Sequence, residues 1–276
     1  MRKVHQLEIK ARRLSRESFS GEYHASFKGQ GLDFEDFREY QHGDEIRFID
    51  WNVTARMRTP FIRTFREERE LTVLIAVDVS GSFDFGSHHL SKREIAAEIA
   101  AVLAFSAKHN GDKVGLLLFS SETELYLPPS KGSRHTLRMI REILAVQPKK
   151  KDTSIPNACD FINRTIKRKA LVFFLSDFVD NDFHKKLGVL SQKHETIALR
   201  VFDPVEDQLP NVGKVTLTDP ETGQLTMVNT ANEAIRSAYN NLTEQRLETL
   251  NKTFAKYRID HIDAGTDADY LPLLHQ

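Results

Sequence analysis

From Leu71 onward the chain alternates between short apolar runs and segments with helical spacing, and few folds tolerate that alternation. LTVLIAVDV (71–79), KVGLLLFS (113–120), KALVFFLSDF (169–178) and TIALRVFD (196–203) are continuous and rich in Val, Ile, Leu and Phe. Strands buried on both faces need that composition. Helical signals separate them. Ser91-Lys-Arg-Glu94 reads as a capping box and is followed by Ile95, Ile99, Val102 and Leu103 at helical spacing. Residues 134–145 repeat the pattern at Leu137, Ile140, Ile143 and Leu144, Ser154-Ile-Pro156 opens another helix, and 182–193 is amphipathic. ELYL (124–127) reads as a short strand, KVTLTDPETGQLTMV (214–228) as a hairpin turning at Glu221-Thr-Gly223, and RIDHID (258–263) as the last strand. Thr230-Ala-Asn-Glu233 reads as a second capping box. It opens a long helix that carries Ile235, Tyr239, Leu242, Leu250 and Phe254.

Repeated strand–helix alternation predicts an α/β fold: a doubly wound, mostly parallel sheet with helices on both faces. Residues 1–70 are charge-dense and lack long apolar runs, so they are read as an N-terminal extension and 71–276 as the α/β domain.

Composition narrows the function classes. A formal net charge of zero gives no reason to expect nucleic acid as the main partner. The single cysteine, Cys159, permits no internal disulfide and fits a reducing compartment. MRKVHQLEIKARRLSRE at the N-terminus lacks the apolar core of a signal peptide, and no stretch reaches the roughly 20 apolar residues that span a bilayer. The expected location is the cytoplasm.

The most telling local pattern ends the first apolar run: Asp78, then hydroxyls at two-residue steps, Ser80 and Ser82. Asp177 is likewise the first acid after LVFFLS, and Thr153 stands just before a helix start. In doubly wound sheets ligands sit at the carboxyl ends of strands where strand order reverses. If the two strands are neighbours, both carboxylates emerge on one rim. All five groups are oxygen donors, a set suited to one hard divalent cation per chain, Mg2+ or Mn2+. The competing reading of Asp-x-Ser-x-Ser is a helix-capping loop. Two strand-end carboxylates side by side favour the cation, because they repel unless positive charge lies between them. The Asp-x-Asp of phosphoaspartyl enzymes, the Gly-x-Ser-x-Gly elbow and the phosphate loop are all missing.

The pattern Asp78-x-Ser80-x-Ser82, Thr153, Asp177 resembles the metal-ion-dependent adhesion site of von Willebrand factor A domains. That resemblance implies Ser80, Ser82 and Thr153 as direct ligands and Asp78 and Asp177 as holders of bound water, with an acidic side chain of a partner completing the shell. Residues before Thr153, Lys149-Lys-Lys151-Asp152, depart from the glycines usual there. The segment from Lys28 to Arg56, KGQGLDFEDFREYQHGDEIRFIDWNVTAR, closely resembles a bacterial family called domain of unknown function 58. Its members carry a von Willebrand A-like domain and commonly accompany MoxR-type AAA+ ATPases.

Within that segment Arg38, Asp44, Arg47, Asp50 and Arg56 alternate in sign around Phe37, Tyr40, Phe48, Ile49 and Trp51. One reading is a packed segment fixed by Arg–Asp pairs. The other is a docking surface anchored by Trp51 with Arg38, Arg47 or Arg56. Residues 1–16 and 131–151 are basic, and Lys149, Lys150 and Lys151 beside the cation loop form a positive rim suited to an acidic partner. Together these features predict a non-catalytic, cation-dependent interaction module working with a MoxR-type ATPase or its client. The alternative is a Mg2+-dependent phosphohydrolase using the same carboxylates. Nucleic-acid binding ranks third.

Overall fold

The computed structural model describes residues 33–42, 44–66 and 70–268, so the basic stretch 1–16 lies outside the described residues. The chain divides into two compact units, one ending at Glu70 and one beginning at Leu71 in its described part.

In the first unit strand β1 (Asp33–Glu39) pairs antiparallel with β2 (Phe61–Arg66), and helix α1 (Trp51–Met57) lies between them in sequence. Asp50 starts the helix. Its Oδ1 accepts the backbone N–H groups of Asn52 and Val53 at 2.9 and 3.1 Å, and its Oδ2 accepts Arg63 Nε at 2.7 Å. Those donors hold the Asp50 carboxyl below the usual range, the Val53 N–H contributing most. Arg58 ends the helix in the left-handed region, φ 62°. Phe37, Tyr40, Phe48 and Ile49 are half-buried, whereas Trp51 and Ile46 are each 67% exposed.

The second unit holds β3 (Thr72–Asp78), β4 (Lys113–Phe119), β5 (Thr123–Ser130), β6 (Leu171–Ser176), β7 (Glu195–Phe202) and β10 (Asp260–Gly265) in one sheet of order β10-β7-β6-β3-β4-β5. Only the β4–β5 pairing is antiparallel. In β3 every residue from Val73 to Asp78 is buried, as is every residue of β6. Successive side chains point to opposite faces. Leu74 and Ala76 of β3 and Val172 and Phe174 of β6 join one core with Ile155, Ile162, Leu187, Leu190, Leu250 and Phe254. The intervening Ile75, Val77, Phe173 and Leu175 are buried on the other face. Helix α2 (Lys92–His109), nearly all buried, and α3 (Ser133–Ala145) pack on each other. Helices α4 (Ile155–Thr165) and α5 (His184–Lys193) do the same. A short turn of helix, α6 (Pro204–Asp207), follows β7. A separate hairpin, β8 (Lys214–Thr218) with β9 (Leu225–Asn229), precedes the long α7 (Glu233–Tyr257).

Two local readings need correction. Thr230 does not cap α7. It is fully buried, and its hydroxyl donates to the Gly213 carbonyl at 2.8 Å and accepts the Val212 N–H at 3.0 Å, closing the base of the hairpin. Asn232 caps instead, its side chain accepting the Ala234 N–H at 2.9 Å. The apolar face of α7 is also shorter than its spacing suggests. Leu250 and Phe254 are core, but Leu242 is 67% exposed and Ile235 is exposed too; the N-terminal half meets the segment after β7 through polar contacts, Tyr239 to the Glu206 carbonyl at 2.7 Å and the Leu209 N–H to Asn240 at 3.2 Å. Among the described residues no helix is long and apolar enough to cross a membrane.

Candidate metal centre

β3 and β6 are neighbours, and the order reverses there: β4 continues to one side of β3, β6 and β7 to the other. Val77 stands opposite Leu175, so Asp78 at the end of β3 and Asp177 just past β6 emerge on one rim. Asp78 is fully buried. Its Oδ1 accepts the Ser80 N–H at 2.9 Å and its Oδ2 the Ser176 hydroxyl at 2.9 Å. Ser82 Oγ donates to Asp177 Oδ2 at 2.8 Å, and the Ser80 and Ser82 hydroxyls lie 3.2 Å apart. Asp177 Oδ1 accepts the Val179 N–H at 3.1 Å.

Four of the five expected residues therefore form one cluster. Thr153, the fifth, lies half-buried in the adjoining loop, which is fastened to the cluster by a 2.8 Å hydrogen bond from the Gly81 N–H to the Lys151 carbonyl. The side chains of Lys149, Lys150 and Lys151 are exposed, and Glu124 Oε1 holds their loop by accepting the N–H groups of Lys149 and Lys150 at 3.0 and 3.4 Å. In the other unit Arg38 is committed to Asp44 and Arg47 to Glu45, while Arg56 sits exposed in the last turn of α1.

Sequence reasoning missed two members of the rim. Lys92, at the first position of α2, sends Nζ to Asp177 Oδ2 at 3.0 Å and to both carboxylate oxygens of Glu206 at 2.8 Å. Its side chain is only 1% exposed. Burial works to lower the Lys92 pKa, but the charges of Asp177 and Glu206 outweigh it and raise the value. Glu206 is pushed up by burial, with the Lys92 charge offsetting part of that. The available signals were the Ser91 cap, which places Lys92 at the mouth of the sheet, and Asp203-Pro-Val-Glu206. The latter is a capping box in which Asp203 accepts from Val205 N–H at 3.0 Å. Neither signal names the partner.

Lys92 balances Asp177 and Glu206, and among the described residues no ion pair reaches Asp78. Burial first, then the Asp177 charge, push the Asp78 carboxyl up to about 7, against the pull of its Ser80 and Ser176 hydrogen bonds. The tip of the β8–β9 hairpin adds more acid. Burial, followed by the charges of Asp152 and Asp219, raises the Glu221 value. Ser82, Asp177, Glu206 and Glu221 line part of one cleft of about 750 Å³. Among the described residues no group of three or more His, Cys, Asp or Glu side chains is arranged to hold a metal. A cation here must use the hydroxyls.

A six-stranded, mostly parallel sheet with helices on both faces and a strand-end Asp-x-Ser-x-Ser loop at its reversal point defines a von Willebrand factor A-like domain. A family model described as "Protein of unknown function DUF58" matches residues 36–249, and the chain belongs to that family. A relative in Mycobacterium tuberculosis, "Uncharacterized protein Rv1480", is 32% identical over 206 residues, covering 74% of this chain. The chain spans 65% of the length of that relative. Among solved structures, the conserved hypothetical protein BatB from Bacteroides thetaiotaomicron superposes with a TM-score of 0.51 at 16% identity, over 75% of this chain and 96% of BatB. That likeness concerns the fold.

Proposed function

We propose that this chain is a divalent-cation-dependent protein-interaction module with no catalysis of its own, acting in the cytoplasm. Its partner would be a MoxR-type AAA+ ATPase or that ATPase's client, and its role an adaptor in assembly or maturation of a protein complex. The choice of ATPase rests on the resemblance drawn from the Lys28–Arg56 segment. The cation follows from the rim. Two oxygens at about 2.1 Å from one Mg2+ in octahedral geometry stand roughly 3 Å apart. The Ser80 and Ser82 hydroxyls, 3.2 Å apart, with Ser80 buried behind Ser82 and Ser82 lining the cleft beside Asp177, carry this reading. The donors are all hard oxygens, and a cation would give the buried Asp78 carboxyl the counter-charge that favours its ionised form. The residues fit Mg2+ or Mn2+. Ser80, Ser82 and Thr153 would hold the ion directly, with Asp78 and Asp177 ordering its waters. A bound ion supplies attraction for a carboxylate. This chain's residues orient it, and Lys149–Lys151 add positive charge nearby that steers an acidic partner.

Thermal unfolding with Mg2+, Mn2+ or EDTA tests the site. A cation that binds only the folded chain, at 100 times its Kd, adds about 2.7 kcal/mol. The shift is expected in the wild type and absent in Asp78→Asn, and cation-dependent retention of the ATPase on immobilised chain should follow it. Equal melting in EDTA and Mg2+, with equal retention, would leave a metal-free scaffold. Phosphate release from simple esters, lost in Asp78→Asn, would instead identify the phosphohydrolase.

A further inference from the structure

The β8–β9 hairpin is a two-stranded sheet of its own whose strands are largely exposed. Its tip nevertheless rests on the Asp-x-Ser-x-Ser loop. A Cβ at Gly81 would stand 2.4 Å from the Pro220 carbonyl oxygen, so the absence of a side chain at Gly81 is what lets the tip come this close. The tip is pre-shaped: the Asp219 carboxylate accepts the Glu221 N–H at 2.9 Å and the Thr222 hydroxyl at 2.6 Å, and Gly223 turns the chain at φ 73°. Asp219 is thereby occupied within the turn. Glu221, half-buried beside Pro220, lines the same cleft as Ser82 and Asp177.

Resting on the cation-site reading above, we propose that Glu221 is the chain's own carboxylate for that cation. It plugs the outward position until an acidic side chain of the partner replaces it. Asp152, Asp177 and Asp219 all repel Glu221 electrostatically, and a cation beneath it would turn that repulsion into attraction. Lifting the arm disturbs little of the core, because an isolated two-stranded hairpin contributes little stability of its own. Its base is fixed at Gly213, φ 84°, whose carbonyl accepts both the N–H and the hydroxyl of Thr230 at 2.8 Å, so movement is left to the tip. Partner binding is then an exchange of one carboxylate for another, gated by the hairpin.

Mn2+ titration of the full chain tests this, read by calorimetry and by the relaxation of water protons on the bound ion. Glu221→Gln should weaken Mn2+ about tenfold, equivalent to about 1.4 kcal/mol. It should also raise water relaxation as a water takes the vacated position, and excess acetate should reverse that rise in Glu221→Gln but change nothing in the wild type. A relaxation rise with little change in affinity supports the plug as well, since water then replaces the carboxylate at similar cost. If the wild type binds Mn2+, Asp78→Asn abolishes it, and Glu221→Gln leaves affinity and relaxation unchanged, the plug is wrong while the cation site stands. If the wild type binds no Mn2+, both fall.

Discussion

At the surface of the first unit, Arg38 grips Asp44 through two hydrogen bonds of 2.8 and 2.7 Å. At the rim of the sheet, Lys92 holds Asp177 and Glu206 at 3.0 and 2.8 Å, with the Lys92 and Asp177 side chains buried and Glu206 partly open to the cleft. The distances are nearly the same and the consequences are not. An exposed pair is solvated whether or not it forms, so losing it changes little. A buried ammonium has given up its hydration, and so has the Asp177 carboxylate beside it. Removing one member leaves uncompensated charge in a poorly polarisable setting. Burial therefore decides which acid–base contacts this chain depends on, and it makes the rim the part whose charge must be balanced by something.

Three measurements press on that contrast. The largest effect is expected from Lys92→Met, which strands Asp177 and Glu206. It should cost about 3–5 kcal/mol in denaturant unfolding. A loss no greater than that of a surface substitution would mean the rim is wet and the contrast false.

A smaller effect is expected from pH. Folding raises the Asp78 value from 3.8 to about 7, so the folded chain binds a proton there that the unfolded chain has lost. Stability from this group is full below the unfolded value and is lost as pH rises through about 7. His194 has the opposite sign. Burial lowers it to about 4, so its contribution grows with pH and levels off about a unit above its ordinary 6.5. Between about pH 6.5 and about pH 7.5 the His194 effect is dying away and the Asp78 effect is the larger of the two. In EDTA the melting temperature should fall across that window. Asp78→Asn should flatten the fall, and saturating Mg2+ should do the same. A flat wild-type profile in EDTA would show that Asp78 is already compensated.

The smallest effect is expected from Arg38→Ala, which should leave the melting curve unchanged within error. A clear destabilisation would show that the signature segment is structurally committed in the way the rim is.

The sequence already contained much of this. Continuous Val, Ile, Leu and Phe runs specify doubly buried strands, because only a strand covered on both faces removes every residue of such a run from water. Alternation then limits the connections to helical crossovers, and the first acid after a run marks the strand end. That logic places Asp78, Ser80, Ser82 and Asp177 on one rim provided the two strands are neighbours, and β3 and β6 are. It failed where the deciding contact is distant. Thr230 has the residue type and spacing of a cap, yet its hydroxyl goes to Gly213. Leu242 has the spacing of a core residue on a helix whose first half meets no core.

Spacing along the chain determines periodicity, caps and strand ends, because these depend on neighbours within about a turn of helix or a few residues of strand. Lys92 and Glu206 are 114 positions apart, and Gly81 meets Pro220 across a comparable span. Such pairs have no local signature. Only the tertiary structure brought them together, by stacking strands in an order that the sequence does not spell out. Only burial, a property of the whole fold, made their charges matter.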